Sequence, residues 1–84
     1  MLFVFNSNAD RAFWMYKTFI PLDIIFLDDN FNVVGILENM QPHDTMLRRI
    51  KQPSRYALEV NAGFVRAHSI RVGQRLVEIA TPLG

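Results

Sequence analysis

One stretch of the chain alternates hydrophobic and polar residues with the period of a half-buried β-strand, which places two sets of side chains on opposite faces. The stretch is Arg55–Val60. One face carries Tyr56, Leu58 and Val60, and the other carries Arg55, Ala57 and Glu59.

A second pattern predicts a hairpin. Ile24–Asp28 and Asn32–Glu38 are rich in β-branched residues and are separated by residues 29–31. Asn30 lies in that connection, and Asn tolerates the left-handed conformation that tight hairpins require. Gly35 interrupts the second arm, which predicts a bulge or the close approach of another backbone.

The remaining apolar stretches are short. Met1–Phe5 and Leu76–Ala80 are predicted strands, and Ala12–Met15 is predicted to be extended. Asn6–Asp10 has the composition of a turn. Thr18–Leu22 contains Pro21, which lacks a backbone N–H, so it is predicted to be a loop or the start of a strand.

Two segments have helical spacing. Asp44–Lys51 is predicted to form one or two turns, with Asp44 or Thr45 as N-cap. Asn61–His68 is predicted to form a short helix with Asn61 as N-cap. Ile70–Gly73 is predicted to be a turn, because Gly73 can adopt a positive φ angle.

These elements predict an α+β, β-rich fold with one short helix near the C-terminus. Short consecutive strands joined by tight turns favour antiparallel pairing. The pattern is compatible with a mainly antiparallel sheet or a partly open barrel, in either case of about five strands. The length of 84 residues predicts a single domain over residues 1–84.

Composition narrows the chemistry. The chain contains no Cys, which excludes disulfides and thiolate metal sites. The net charge is +1, and the one basic cluster, 48–51, is interpreted as a solvated loop or helix face, so no nucleic-acid partner is predicted. No apolar run is long enough to span a membrane. No signal peptide is recognisable, so the sequence as it stands predicts a cytoplasmic location.

Several segments, taken together and in order, resemble an uncharacterised family known as domain of unknown function 192 (DUF192). The resemblance covers nearly the whole chain and implies a β-rich fold with little helix. It implies no activity, because none is established for the family, many of whose members are exported. The matching segments are 1–5, 13–15, 20–28, 38–39, 55–63 and 70–73.

The chain also departs from the family pattern. Members usually have a further segment before the stretch that matches Met1–Phe5, so an unpaired strand edge is expected here. The family commonly has Lys-Asn-Thr after its Trp-Met pair, whereas this chain has Tyr16-Lys17-Thr18. Lys17 is thus displaced by one position. Ser69 and Gln74 replace a Gly and an Asp near the family's turn.

Asp23 is the most informative candidate residue. It lies between Leu22 and Ile24 in an apolar strand, where a carboxylate must be paired, hydrogen-bonded or raised in pKa. It is interpreted either as a functional acid, base or ligand, or as an acceptor for backbone N–H groups of the Pro21 turn. Arg55, Glu59 and Glu38 are candidates to join it in a site for a small polar or anionic ligand. Cross-strand ion pairing is the alternative.

Trp14 is a candidate ligand platform or a core anchor, and with Lys17 it completes the set of candidate binding residues. His43, Asp44 and His68 lack metal-ligand spacing, so no metal is predicted. No nucleophile or phosphate-loop motif is present, and neither a catalytic residue nor a cofactor is predicted.

Three functional hypotheses follow. The first is a non-catalytic module that binds a small ligand or a partner. The second is a small hydrolase or transferase with Asp23 or Glu59 as general base. The third is an oligomerising structural protein, with a homodimer formed through the N-terminal strand edge.

Overall fold

A computed structural model describes residues 2–9, 12–13, 20–42, 48–50 and 52–76 of the chain. Most of the described residues lie in β-strands, with one short helix after the last of them. The elements are β1 (Leu2–Ala9), β2 (Ala12–Phe13), β3 (Leu22–Leu27), β4 (Val33–Met40), β5 (Arg48–Arg49), β6 (Ser54–Asn61) and α1 (Phe64–Ala67).

The main sheet has four antiparallel strands in the order β1, β6, β3, β4. A separate pair joins β2 to β5. Every residue of β3 is buried, because this strand has a neighbour on each side and packing on both of its faces. An unbroken apolar run such as Ile24–Leu27 is typical of a strand covered in this way.

The two faces of the sheet pack against different parts of the chain. On one face, Ile25 and Leu27 pack with Val65 of α1 and with Ile70 and Leu76 beyond it; we call this the helix face. The other face we call the far face. Its core consists of Leu22, Ile24, Phe26, Met40 and Ala57, with Val34, Leu37 and Ile50 packed against it.

The predicted hairpin is present, formed by β3 and β4. Its left-handed residue is Phe31, with φ of 64°, and not Asn30. The strain at Phe31 is offset by packing, since its ring stacks on Tyr56 with centroids 4.7 Å apart. The turn is closed by Asp28, whose Oδ1 accepts bonds from the backbone N–H groups of Asn30 and Asn32, both at 2.9 Å.

Gly35 meets a side chain and not another backbone. A Cβ atom at this position would lie 2.5 Å from Cγ2 of Ile50. Pairing between β3 and β4 also shifts by one residue beside it, between Phe26 and Leu27. The glycine therefore leaves space for Ile50 against the far face.

Two predictions about the less regular segments were wrong. Asn6–Ala9 is not a turn but the second half of β1, whose pairing with β6 has a register shift between Val4 and Ala9. Arg48–Arg49 is not helical, because it pairs with β2 as β5. The rest of the predicted Asp44–Lys51 helix, apart from Ile50, lies outside the described residues.

The helix after β6 is shorter than predicted. Asn61 is the last residue of β6, and α1 spans only Phe64–Ala67 with Gly63 at its N-cap. Gly63 therefore takes the N-cap position that was predicted for Asn61, and its φ is 95°. The turn predicted for Ile70–Gly73 is present, and Gly73 has φ of 94°. Leu76 is buried but outside any strand, and Val77–Ala80 lie beyond the described part.

The fold is thus β-rich and antiparallel with one short helix. Within the described residues the sheet is open, since β1 and β4 form its two edges. The expected count of about five strands is not confirmed: six are described, and two of them contain only two residues.

Candidate ligand pocket

Asp23 is the most buried acidic group among the described residues, with 1% of its surface exposed. It lies on the helix face of β3, and its carboxylate accepts three backbone hydrogen bonds. Oδ1 accepts from the N–H of Asn39 at 2.8 Å. Oδ2 accepts from the N–H groups of Gly63 and Val65, each at 3.0 Å. The expectation that Asp23 accepts backbone N–H groups is confirmed, but the donors are not those of the Pro21 turn.

The Asn39 donor is available because β4 bulges opposite Asp23. Leu22 pairs with Met40 and Ile24 pairs with Leu37, so two residues of β4 face the single Asp23. Asn39 has φ of 54°, the left-handed conformation that Asn adopts more readily than most residues. The bulge turns the N–H of Asn39 out of the ladder and towards the carboxylate.

The other two donors belong to the start of α1. The first N–H groups of a helix have no partner inside it, and a carboxylate is the usual substitute. Here no side chain from the N-cap residue itself supplies the bond. Asp23 performs that role from a strand 40 residues earlier. One buried side chain therefore fixes the bulge of β4 and the first turn of α1 to the central strand.

A pocket of about 430 Å³ opens between these two fixed elements. Its size lies within the range of small-molecule sites, roughly 300–1,000 Å³. Asp23 forms its base, while the side chains of Glu38 and Arg66 are exposed at its walls. The lining residues are Asp23, Glu38, Asn39, Ala62, Gly63 and Arg66.

Two of the predicted site residues, Asp23 and Glu38, line this pocket together. Arg55 and Glu59 lie elsewhere. Glu59 pairs with Ile24, which belongs to the far face, and directly paired residues project to the same side of a sheet. Asp23 projects to the helix face, so the sheet separates it from Glu59 and Arg55.

Arg55 forms an ion pair with a residue of the hairpin turn. Its Nη1 lies 3.3 Å from Oδ1 of Asp29, and both side chains are partly exposed. Exposed pairs of this kind contribute about 0–1 kcal/mol. Nε of Arg55 is buried without a hydrogen-bond partner. Arg55 therefore forms an ion pair at the end of the sheet where the hairpin turn lies, away from the pocket.

Glu59 has a perturbed carboxyl group. Burial of the side chain raises its pKa above the ordinary value of 4.5. Burial disfavours the charged form of an acid, so the shift follows from the half-buried position of Glu59 beside the far-face core. Glu59 is not among the residues that line the pocket.

Of the remaining candidate residues, only His68 lies in the described part of the chain. Trp14, Lys17, His43 and Asp44 lie outside the described residues. His68 is exposed, and its ring stacks on Phe64 with centroids 4.0 Å apart. Across the described ranges, no three His, Cys, Asp or Glu residues are grouped as a metal site would require. In the same ranges no helix has the length and apolarity needed to cross a membrane.

The sequence of the chain matches one protein family over residues 1–78, described as Uncharacterized ACR, DUF192. The chain belongs to the DUF192 family. Three of the segments that resemble the family contribute residues to the pocket of this DUF192 domain. Asp23 comes from 20–28, Glu38 and Asn39 form the second, and Ala62 and Gly63 end 55–63.

Two solved structures resemble this DUF192 chain closely. One is a protein of unknown function from Novosphingobium aromaticivorans DSM 12444, with 35% identity and a TM-score of 0.84. The other is a Sinorhizobium meliloti 1021 protein that its name proposes as a transcription regulator, with 35% identity and a TM-score of 0.86. Each match covers 89% of this chain but only 54% and 58% of the respective relatives. The chain therefore spans little more than half their length. No curated protein matches it.

Sequence reasoning missed several pocket residues, above all Arg66. Arg66 was read only as part of a short helix, and nothing in its local sequence relates it to Glu38. The available signal was indirect. Asn61-Ala62-Gly63 ends a strand and starts a helix, and a helix start must obtain acceptors for its N–H groups from some side chain. Asp23, the one acid within the apolar run Leu22–Leu27, was a candidate for that role.

Proposed function

We propose that this DUF192 domain is a non-catalytic binding module that takes a small polar molecule into the pocket between β4 and α1. The observation that carries the proposal is the Asp23 carboxylate, which ties both walls to the central strand with bonds of 2.8–3.0 Å. A site whose walls are fixed in advance binds at a lower entropic cost than one that must be ordered by its ligand.

The chemistry of the lining also supports binding of a polar molecule. Most lining residues are charged or polar, and Glu38 and Arg66 present opposite charges to the same cavity. Asp23 has three backbone donors already, which suits a residue that builds a site better than one that removes a proton from a substrate.

Filling the pocket tests this proposal. Ala62 lines the cavity and is only partly buried, so Ala62→Leu would occupy space without opening the core. We expect this variant to lose binding to a panel of amino acids, short peptides, monosaccharides and nucleotides, followed by ligand-observed NMR. Ala67→Leu is the matched control, since Ala67 is exposed at the end of α1 and does not line the pocket.

Retention of binding by Ala62→Leu, with both variants folded by circular dichroism, would exclude the pocket as the binding site. A panel in which no compound binds the unmodified protein would count against the proposed function itself.

The alternative of a small hydrolase or transferase has one supporting observation, the raised pKa of Glu59. A general base needs both such a shift and a position in a site that holds substrate. In the described residues the two requirements fall on different groups, because Glu59 is outside the pocket and Asp23 already accepts three backbone hydrogen bonds. We therefore rank this function second.

Self-association is supported by a different part of the sheet. β1 is an edge strand in the described sheet, and the side chains of Leu2 and Val4 are 49% and 63% exposed. Edge strands with exposed apolar residues favour pairing with a second chain. A homodimer through β1 predicts a concentration-dependent mass in sedimentation equilibrium that Val4→Lys abolishes. A monomer at all accessible concentrations would exclude it.

A further inference from the structure

Besides the Asp23 carboxylate at its base, the pocket contains two exposed side chains of opposite charge that do not neutralise each other. Glu38 and Arg66 both line it, yet no ion pair joins them. In the part of the chain that the structure describes, neither side chain forms a hydrogen bond or ion pair with another residue. The pocket therefore presents an exposed carboxylate and an exposed guanidinium, each without a partner among the described residues.

The side chain of Asn39, which also lines the pocket, accepts a hydrogen bond from a neighbouring residue. Nε2 of Gln41 donates to Oδ1 of Asn39 at 2.8 Å and to the backbone oxygen of Asn39 at 3.1 Å. The amide oxygen of Asn39 is thus occupied, and its NH₂ group is the part left to donate. Asn39 adds a neutral donor to a pocket that already has two carboxylates, those of Asp23 and Glu38, and one cationic donor group, Arg66.

Such a lining discriminates by charge. A molecule with a single charge would satisfy one of the two groups and desolvate the other without a partner, which is unfavourable. A molecule with a cation at one end and an anion at the other would satisfy both groups. Pairing of guanidinium with carboxylate also adds directional hydrogen bonds.

Resting on the proposed binding function, we infer that the ligand is a small zwitterion, with its cationic group at Glu38 and its anionic group at Arg66. A molecule with free amino and carboxylate termini is the simplest chemistry of this class. The size of the pocket, about 430 Å³, leaves room for more than a single small amino acid.

Glycine, diglycine and triglycine provide a direct test, since they place the same two charges progressively further apart. Each is titrated to millimolar concentration against ¹⁵N-labelled protein, and the amide signals of Asn39, Gly63 and Arg66 are followed. We expect at least one member to shift these signals. Two analogues of the best member are then compared, one with its amine acetylated and one with its carboxylate converted to an amide.

We expect each analogue to bind about fivefold more weakly, which corresponds to one partly exposed ion pair. The variants assign each preference to one residue. Glu38→Gln should remove the preference for the free amine, and Arg66→Gln the preference for the free carboxylate. Asp29→Asn and Arg71→Ala are matched controls, because both side chains are exposed and neither lines the pocket.

Different results overturn different statements. If the neutralised analogues bind as well as the zwitterion, or if no peptide of the series binds while a sugar or nucleotide of the wider panel does, the zwitterion inference is wrong and the pocket remains a binding site. If no compound of either set binds, the proposed function fails as well. If the zwitterion binds but the two variants leave its preferences unchanged, another part of the chain holds it.

Discussion

Asp23 and Asp28 stand at opposite ends of the central strand and use the same chemistry at very different range. Asp28 accepts backbone bonds from residues two and four positions away, and Oδ2 also accepts from the side chain of Asn32 at 3.1 Å. Asp23 accepts backbone bonds from residues 16, 40 and 42 positions away. One carboxylate closes a turn, and the other joins three elements.

The difference also lies in their surroundings. Asp28 is partly exposed, so water can replace any partner that it loses. Asp23 is buried, and so is its donor Val65, whose N–H group would have no other acceptor. The comparison indicates that the structural importance of a hydrogen-bonded carboxylate depends on what else its donors could bind.

The largest expected effect is that of Asp23→Asn. An amide has one oxygen and one NH₂ group, so in either orientation a donor would face a backbone donor of Asn39 or of the helix start. We expect a loss of about 3 kcal/mol in the free energy of unfolding, measured by urea denaturation. A loss below about 1 kcal/mol would show that the three bonds are dispensable.

Next in size is the effect of changing Asn39, which contributes a backbone group to Asp23 from a left-handed conformation. Asn39→Gly keeps the N–H and removes the steric cost, whereas Asn39→Ala keeps the N–H and raises that cost. We expect the alanine variant to be about 1 kcal/mol less stable than the glycine variant. Equal stability of the two would contradict the positive φ angle.

Asp28→Asn should cost less than either change, about 0.5 kcal/mol. The amide oxygen can still accept from Asn30 and Asn32, since both of these bonds go to the same oxygen in the native turn. Only the bond from the Asn32 side chain is lost. Urea denaturation of Asp28→Asn and Asp23→Asn compares their losses in the free energy of unfolding. Equal losses would contradict the proposed difference between the two carboxylates.

A pH series sharpens the comparison at the Asp28 end. Burial acts to raise the pKa of Asp28, but bonds from Asn32 and Asn30 and the charge of Arg75 outweigh it, so the pKa falls below 3.8. Stability from this shift is fully present above 3.8 and is lost as pH falls through the folded pKa. As the pH falls below 3.8 and through the folded pKa, we expect the stability difference between the unmodified protein and Asp28→Asn to become smaller.

The smallest effect is expected at Glu59, where the sign is opposite. Because burial raises its folded pKa above 4.5, the folded state holds the proton more tightly than the unfolded state. Stability therefore declines as pH rises from 4.5 through the folded pKa. Glu59→Gln should remove this decline without disturbing the Asp23 end, and an unchanged pH profile would show that Glu59 is ordinarily solvated.

The parts of the fold that could be predicted are those encoded over short distances. The β3–β4 hairpin and the alternation of Arg55–Val60 depend on neighbouring residues, and both are present. The start of the helix was predicted three residues too early, because its first turn is capped from β3 and not by its own Asn61. Arg48 and Arg49 were assigned to a helix because their strand partner, β2, contains only two residues.

The pocket could be predicted only in part, for the same reason. Asp23 was selected because an acid within an apolar strand needs an explanation, and Glu38 was named as a candidate to join it in a site. Arg66 escaped notice because helical context made it ordinary, and Arg55 was grouped with Asp23 although the sheet separates them. Which residues share a strand face is a local property, but which faces meet a common cavity is decided by the tertiary fold.

The distances along the chain that Asp23 spans also bear on the order in which the protein folds. Contacts between residues 40 positions apart form only after the intervening segment has been closed into a loop, which is entropically costly. The hairpin can form early, while the Asp23 carboxylate still lacks two of its donors. The pocket is therefore completed late, and during synthesis it cannot exist until the chain has emerged past Val65.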